Sequence, residues 1–447
     1  MYTSKIYIKS PVFIQNIFIS FLNLTKKILR STSSVDVFTK KLIENERSEV
    51  KLNKYCEEKL ITVLNNARDN SPYYSYSKSA EINLLNFKYI TKDEVFNCSD
   101  KILNSNIKGR RIKGQTSGTT GKALTIYQNL ESIRSEKAFN NRQRLWAGYE
   151  KGDKRAWIRG DVIVPLNQKK APFWRYSYFE NMILLSSFHM TKDALQLYID
   201  EMVDFGVNII QAYPSSIITL AKHLENTNQY YGGNLKSIIT SSESLTSIDK
   251  KIIEERFNCI VFDWYGLFER VAAIASCEHG RYHILSDYSH VELLTVGKTE
   301  DGRDIAEIIG TNFNNLLFPL IKYKTGDHVI LSNESECPCG RVFPIVESIE
   351  GRVGDYLVGE DKQEIHILNH IPKGVLGILA CQFIQRKDLS VEINVIADQS
   401  LFSEIEKNKL IFNTKKRIGH SLKVIVVEVE SIKRTKNGKF KQAIREF

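Results

Sequence analysis

In the stretch VNIIQAYPSSIITLAKHLE, residues 207–225, a short apolar run gives way to a helical pattern. Residues 207–212 are too few and too apolar for an amphipathic helix and read as a buried strand. Residues 215–225 carry apolar positions at helical spacing. The same alternation runs outward in both directions. Residues 156–158, 183–186, 237–240 and 260–264 read as further buried strands, and 192–205 and 247–256 as further helices. Strands alternating with helices are the pattern of α/β layers built on parallel strands.

The texture changes after residue 351. Residues 365–367, 380–384, 391–396 and 422–428 read as strands around a helix at 401–416, which makes a small α+β domain. The sequence GRVGD at 351–355 is then a glycine-rich joint of the kind found in enzymes that close or rotate. Residues 40–70 read as helical, ended by Asn70-Ser-Pro. The expected division is an N-terminal helical region at 1–100 packed on a large domain at 101–350, followed by a small mobile domain at 351–447. No internal repeat and no low-complexity segment occurs.

A chain of 447 residues with 42% hydrophobic and 26% charged residues has ample core and excludes wholesale disorder. Seven scattered cysteines do not make a secreted disulfide scaffold and suit a reducing cytoplasm. The net charge of +10 fits solvated lysine faces or an anionic partner such as a nucleotide or a membrane surface. Polymeric nucleic acid is disfavoured, because no long basic tract interleaves with stacking aromatics. The nearest approach to a membrane span is 12–24, which Gln15, Asn16 and Asn23 interrupt and which Lys5, Lys9, Lys26, Lys27 and Arg30 flank. Its first reading is a helix packed on the body of the protein. Its second is peripheral contact with the inner membrane face through residues 10–30.

The strongest local signal is TSGTTGK at 116–122. Gly118 and Gly121 permit exposed backbone N–H groups. The hydroxyls of Thr116, Ser117, Thr119 and Thr120 and the ammonium of Lys122 can surround an anion such as a triphosphate. The spacing is not that of a Walker A loop, and the plain alternative is a polar hairpin turn. YGLFE at 265–269 follows the strand at 260–264, at a carboxyl end where ligands bind. There Tyr265 could stack on a base and Glu269 could hold Mg²⁺. YKTGD at 323–327 offers Asp327 to ribose hydroxyls. RTKNGK at 434–439 offers Lys439, on a flexible Asn-Gly turn, to a phosphate or carboxylate. Three cysteines and a histidine, Cys277, His283, Cys337 and Cys339, would satisfy tetrahedral Zn²⁺ as a closed structural site, with His279 as the alternative nitrogen ligand; C-x-C is tighter than the usual C-x₂-C, and the plain alternative is two unrelated cysteine-bearing turns.

Taken in order, these motifs, with Gly351-Arg and Gly438-Lys, resemble the motif series of the adenylate-forming superfamily of acyl-CoA synthetases, nonribosomal adenylation domains and luciferases. The resemblance spans about residue 110 to the C-terminus. ERVAA at 269–273, CEHGRYH at 277–283 and CPCGR at 337–341 are most similar to the phenylacetate–CoA ligase-like branch, and within it to members of capsular polysaccharide biosynthesis. The resemblance implies an ATP- and Mg²⁺-dependent ligase. It would adenylate a carboxylic acid and pass the acyl group to CoA or to an amine or hydroxyl of a glycan precursor. It further implies that residues 116–122 bind the β,γ-phosphates. Ser241, Ser242 and Glu243 would line the adenine side, with Tyr265 stacking and Arg352 bridging to the nucleotide. Lys439 would meet the carboxylate and α-phosphate, and Tyr213, Pro214, Trp264, Gly266 and Phe268 would form the acyl pocket. Zinc at the cysteine cluster is also known in the branch.

Two positions depart from the pattern. Phe268 stands where a Ser or Thr hydroxyl is usual, and Gly354 stands at the hinge aspartate. Phe268 is the support for a rival reading, a catalytically degenerate nucleotide-binding scaffold in a polysaccharide assembly complex.

Overall fold

The computed structural model describes residues 4–77, 82–116, 123–299, 301–352, 356–365, 368, 371–435 and 437–447. Two compact units emerge, one of residues 1–24, 150–261 and 353–447, the other of 25–149 and 262–352.

The first unit holds the parallel strands expected from the alternation. Ser237–Ser241, Ile209–Ala212, Arg155–Ile158 and Met182–Leu185 lie side by side in that order and pair in parallel. Trp174–Ser177 closes the edge in the antiparallel sense. Helices Lys192–Phe205, Pro214–Asn226 and Ser247–Phe257 supply Leu195, Leu220 and Ile253 to one core with Ile183 and Ile210. Pro214 starts its helix because a missing N–H costs nothing in the first turn.

In the same unit, Val424–Glu428, Val391–Ala397, Ile378–Gln385 and Ala443–Arg445 form a four-stranded sheet. The outer two strands run parallel to their neighbours and the inner pair is antiparallel. Helix Glu404–Ile418, capped by Ser403, buries Leu410, Thr414 and Ile418 in a core with Phe383 and Ile393.

The N-terminal helix Val12–Arg30 meets this unit through polar side chains. Gln15 Oε1 accepts from Arg175, Asn16 Oδ1 accepts from the Tyr176 backbone at 3.0 Å, and Ser20 Oγ accepts from the Tyr178 backbone at 3.0 Å. Asn23 donates to Ser177 Oγ at 3.1 Å. Residues that interrupt the apolar run in sequence therefore satisfy the outer side of an edge strand.

The second unit is built on antiparallel strands, Ser289–Lys298, Asp304–Asn312, Tyr323–Leu331 and Ile345–Arg352, followed by Tyr282–Ile284 and Ala273–Ser276. The helical region at 40–70 is two helices, Ser33–Asn45 and Glu49–Asn70. The break has a local cause. Ser48 caps the second helix by accepting from the Lys51 backbone, and buried Glu46 turns inward to Arg142, Arg341 and the Trp146 indole. Arg142 also pairs with Asp287 at 2.5 Å, both essentially buried, so removing either member would strand a charge.

Candidate functional site

In the second unit, Ile112–Gln115 and Thr125–Gln128 form an antiparallel hairpin. Thr116 closes it, its backbone N–H donating to the Leu124 carbonyl at 2.9 Å and its Oγ1 accepting from the Leu124 N–H at 2.9 Å. The hydroxyl-rich loop therefore leaves from a fixed base. Ser117, Gly118, Thr119, Thr120, Gly121 and Lys122 lie outside the described residues, as does the Arg352 side chain.

Against that base sits Phe268. A Cβ on Gly114 would come within 2.7 Å of Phe268 Cε1 and overlap the ring tip, so the ring occupies the space that glycine leaves open. Phe268 is still 40% exposed. The departure from the family pattern thus puts an aromatic face where the hairpin enters the loop.

Tyr265 is the penultimate residue of the strand Ile260–Gly266, and its hydroxyl donates to Asp327 Oδ2 at 2.7 Å. Asp327 is held from the other side, its N–H donating to Thr325 Oγ1 at 3.0 Å. Gly326 turns the chain between them at a φ of +70°, a conformation that glycine adopts without strain. Glu269 is 2% exposed and accepts from the Tyr323 hydroxyl at 3.2 Å. Tyr265, near the end of one strand, and Asp327, within another, are thus joined by a hydrogen bond. Trp264 packs against Tyr288, and its indole leaves no room for a side chain on Gly266.

Arg270 was not singled out from sequence. It stands at a φ of +59°, and its guanidinium donates to the Ser132 backbone and hydroxyl and to Gln128 Oε1 at 3.1 Å. These bonds fix the turn that carries Glu269.

In the first unit, Tyr213 and Pro214 follow the strand Ile209–Ala212, and Ser241 ends the adjacent strand Ser237–Ser241, with Ser242 and Glu243 directly after it. Glu243 joins two distant segments. Its Oε2 accepts from the Ser215 N–H at 3.0 Å, at the positive end of the Pro214–Asn226 helix, and its Oε1 accepts from the Phe440 N–H at 2.6 Å.

The segment carrying Lys439 is a stitched turn, which corrects the expectation of a flexible one. Arg434 bridges Phe440 in the antiparallel sense, and the Thr435 N–H donates to the Lys439 carbonyl at 2.9 Å. The Lys439 N–H donates to Thr435 Oγ1 at 3.0 Å. Buried Gln382 grips both legs, donating to the Lys433 and Lys441 carbonyls at 3.1 and 2.8 Å. Tyr213 donates to the Asn437 carbonyl at 3.1 Å, and Arg434 donates to Ser215 Oγ at 3.0 Å. Gly160 packs so closely on Asn437 and Gly438 that a Cβ there would overlap the Asn437 carbonyl.

Beside this contact, Trp157, Arg159, Gly160, Asp161, Tyr213 and Asn437 line an open pocket of about 370 Å³. The Arg159 guanidinium lies 4.9 Å from the Trp157 ring and 5.0 Å from the Tyr213 ring and donates to Ser242 Oγ at 2.7 Å. Trp157 donates its indole N–H to Asp161 at 2.7 Å. Sequence reasoning missed Arg159 and Asp161. Their signal is position, directly after the carboxyl end of the parallel strand Arg155–Ile158.

The second unit also assembles the expected thiol cluster. The ligand atoms of Cys277, His283, Cys337 and Cys339 all lie within 4.8 Å of one another, and all four residues are buried. Cys277 Sγ is 3.6 Å from Cys337 Sγ, and Cys339 Sγ is 3.4 Å from His283 Nε2. A tetrahedral zinc with ordinary Zn–S and Zn–N bonds sets ligand atoms about 3.6–3.8 Å apart, whereas a disulfide needs about 2 Å. The donor set therefore fits Zn²⁺. Burial pulls the His283 imidazole down to about 4, which leaves it neutral and able to ligate through Nε2. Burial pushes the Cys337 thiol up to about 12, so a bound cation would have to displace its proton. His279 is exposed on the neighbouring turn, outside this group.

Comparison with known structures gives the architecture a name. A 2-hydroxyisobutyryl-CoA ligase in the postadenylation state, in complex with R3-HIB-AMP, matches with a TM-score of 0.64 at 15% identity. The match covers 90% of this chain and 91% of that one. This is the adenylate-forming ligase fold. The same ligase in complex with 2-HIB-AMP and CoA in the thioesterification state matches at 0.52, with 17% identity over 90% of this chain and 92% of that one. In sequence, Protein CapK of Staphylococcus aureus is 27% identical over 456 residues, covering 98% of each protein. Residues 357–446 match the CapK C-terminal domain family. The recognition drawn from the ordered motifs and these comparisons point to the same group.

Proposed function

We infer that the chain is an ATP-dependent, AMP-forming ligase of the phenylacetate–CoA ligase-like kind. A substrate carboxylate oxygen attacks the α-phosphorus of ATP, the bond to the bridging β-oxygen breaks, and pyrophosphate leaves. The acyl-AMP then passes its acyl group to the thiol of CoA or to an amine or hydroxyl of a glycan precursor, releasing AMP. The setting is surface polysaccharide biosynthesis, at the cytoplasmic side.

The observation that carries this reading is the docking of the Lys439 turn on Gly160, Tyr213 and Glu243. A lysine 226 positions beyond Tyr213 and 279 beyond Gly160 would otherwise be a solvated tail. In this reading the docked turn would bring the Lys439 ammonium to the negative charge that builds between carboxylate and α-phosphate. Tyr265, tied to Asp327, would face the adenosine, and the loop at 116–122 would take the β,γ-phosphates. Glu269 would hold Mg²⁺, whose charge offsets that of the phosphates. Tyr213, Pro214, Trp264, Gly266 and Phe268 would shape the acyl pocket, and the zinc cluster would be a staple rather than a catalyst.

The test is pyrophosphate release with aromatic, fatty, amino and uronic acids, followed by transfer to CoA and to amino- or hydroxyl-bearing sugar acceptors. Pyrophosphate release with none of the acids would favour the rival scaffold, for which Phe268 at the mouth of the loop is the specific support.

A further inference from the structure

The helix Val12–Arg30 is amphipathic in an unusual sense. Its buried face carries Gln15, Asn16 and Ser20, bonded to the Trp174–Ser177 edge and its neighbours, beside a single fully buried Ile19, while its outer face is apolar. Phe13, Ile17, Phe21 and Ile28 recur at three- and four-residue spacing through Leu24, at 62, 43, 56 and 65% exposure for the four named first. The preceding short helix Lys5–Lys9 adds Ile6, 72% exposed. Phe179 meets Phe21 edge-on at 5.6 Å and extends the same surface, and Tyr178 beside it is also exposed. A run of exposed aromatic and branched side chains this long marks an interaction surface.

Its rim identifies the partner. Lys5 and Lys9 stand at the near end, and Lys27 and Arg30 at the far end, all exposed. No acidic residue occurs between positions 1 and 35. An apolar stripe flanked by cations complements an anionic lipid surface, where the rings sink to the headgroup boundary and the ammonium groups meet phosphate. By length and composition Val12–Arg30 is also apolar enough to cross a bilayer. Its inner face, however, is committed to hydrogen bonds with the sheet edge, which a spanning helix would have to abandon for hydrocarbon. A second copy of this chain would bring the two cationic rims together.

We propose that residues 4–30 dock the protein flat on an anionic bilayer surface, apolar face down, with the helix remaining part of the folded unit. This does not depend on the ligase reading, since the surface lies outside every residue assigned to it.

Full-length protein is floated with vesicles of phosphatidylglycerol and phosphatidylcholine, and with phosphatidylcholine alone. Expected are binding to the anionic vesicles, weakening as salt rises, and release by alkaline carbonate. The F13S/F21S variant should partition at least about tenfold more weakly, with no more than a small drop in melting temperature from the lost Phe21–Phe179 contact. K5E/K9E should weaken binding to anionic vesicles in the same direction. Three results would each overturn the proposal: no binding to anionic vesicles, carbonate-resistant insertion, or a dimer that F13S/F21S turns into a monomer. Equal binding by F13S/F21S would do so too, by placing the contact elsewhere.

Discussion

Gly160→Ala separates a docked catalytic lysine from a solvated one. A Cβ at this position would overlap the Asn437 carbonyl and stand 2.9 Å from Gly438 Cα, so the obstacle is backbone and cannot rotate aside. Overpacking of this kind costs about 1–3 kcal/mol. Relief comes most readily by moving the 435–440 turn, whose docking rests on the bonds from Phe440 to Glu243, Tyr213 to Asn437 and Arg434 to Ser215. Two of these involve a charged group, at about 1.5–3 kcal/mol each, so the turn shifts rather than detaches. A shift of about 1 Å in a charge-stabilising group costs on the order of 10²-fold in rate. Lys439→Ala should cost about 2–4 kcal/mol, or roughly 30- to 1000-fold. The assay is ATP–pyrophosphate exchange with an accepted acid, beside transfer from synthetic acyl-AMP. Exchange should fall in both variants while transfer survives, and the double variant should be no worse than Lys439→Ala, because both changes act through one group. If Gly160→Ala keeps exchange within about threefold of wild type, or if the two effects multiply, the docked turn is not what places the lysine.

Protein purified without chelator should carry stoichiometric zinc by elemental analysis, and Cys339→Ser should lower the melting temperature by several degrees while leaving ATP affinity nearly unchanged. Phe268→Thr vacates the space against Gly114. Pyrophosphate exchange should rise if the ring obstructs the phosphate loop, a shift in carboxylate preference would place it in the acyl pocket, and no change would remove it from the site. Tyr265→Phe deletes the 2.7 Å bond to Asp327 and keeps the ring, so the KM for ATP should rise by about three- to tenfold with little change in melting temperature; an unchanged KM would detach this pair from nucleotide binding.

The buried strands were legible because nothing in them is ambiguous. Residues 237–240 and 391–396 are apolar runs bounded by polar turns, and the structure returns them as Ser237–Ser241 and Val391–Ala397. The long antiparallel strands were not, since Ser289–Lys298 and Tyr323–Leu331 mix charge and β-branched residues on half-exposed surfaces, where apolar content carries little signal. The chemistry followed the same division. The thiol cluster was found because tetrahedral ligation depends on residue type, whereas Tyr265 and Asp327, singled out separately, are joined only in the structure. Arg159 and Gly160 were not, because their importance is relational. Glycine at 160 matters only once a chain segment that lies 277 positions on packs against it, and arginine at 159 only once two aromatic rings flank it.

The N-terminal helix packs on the body of the protein, as its first reading had it, but largely through its polar side chains. Gln15, Asn16 and Asn23 read as interruptions of an apolar segment, because polarity in a sequence is ordinarily assigned to solvent. Here an edge strand needed partners. Once Gln15 meets Arg175, Asn16 the Tyr176 backbone and Asn23 the Ser177 hydroxyl, Phe13, Ile17, Phe21 and Ile28 are left facing outward by helical geometry, while Ile19 is buried on the inner face. Helical spacing divides the segment into two faces. Which one faces the protein was decided by the unpaired backbone of Trp174–Ser177, about 150 residues further along the chain.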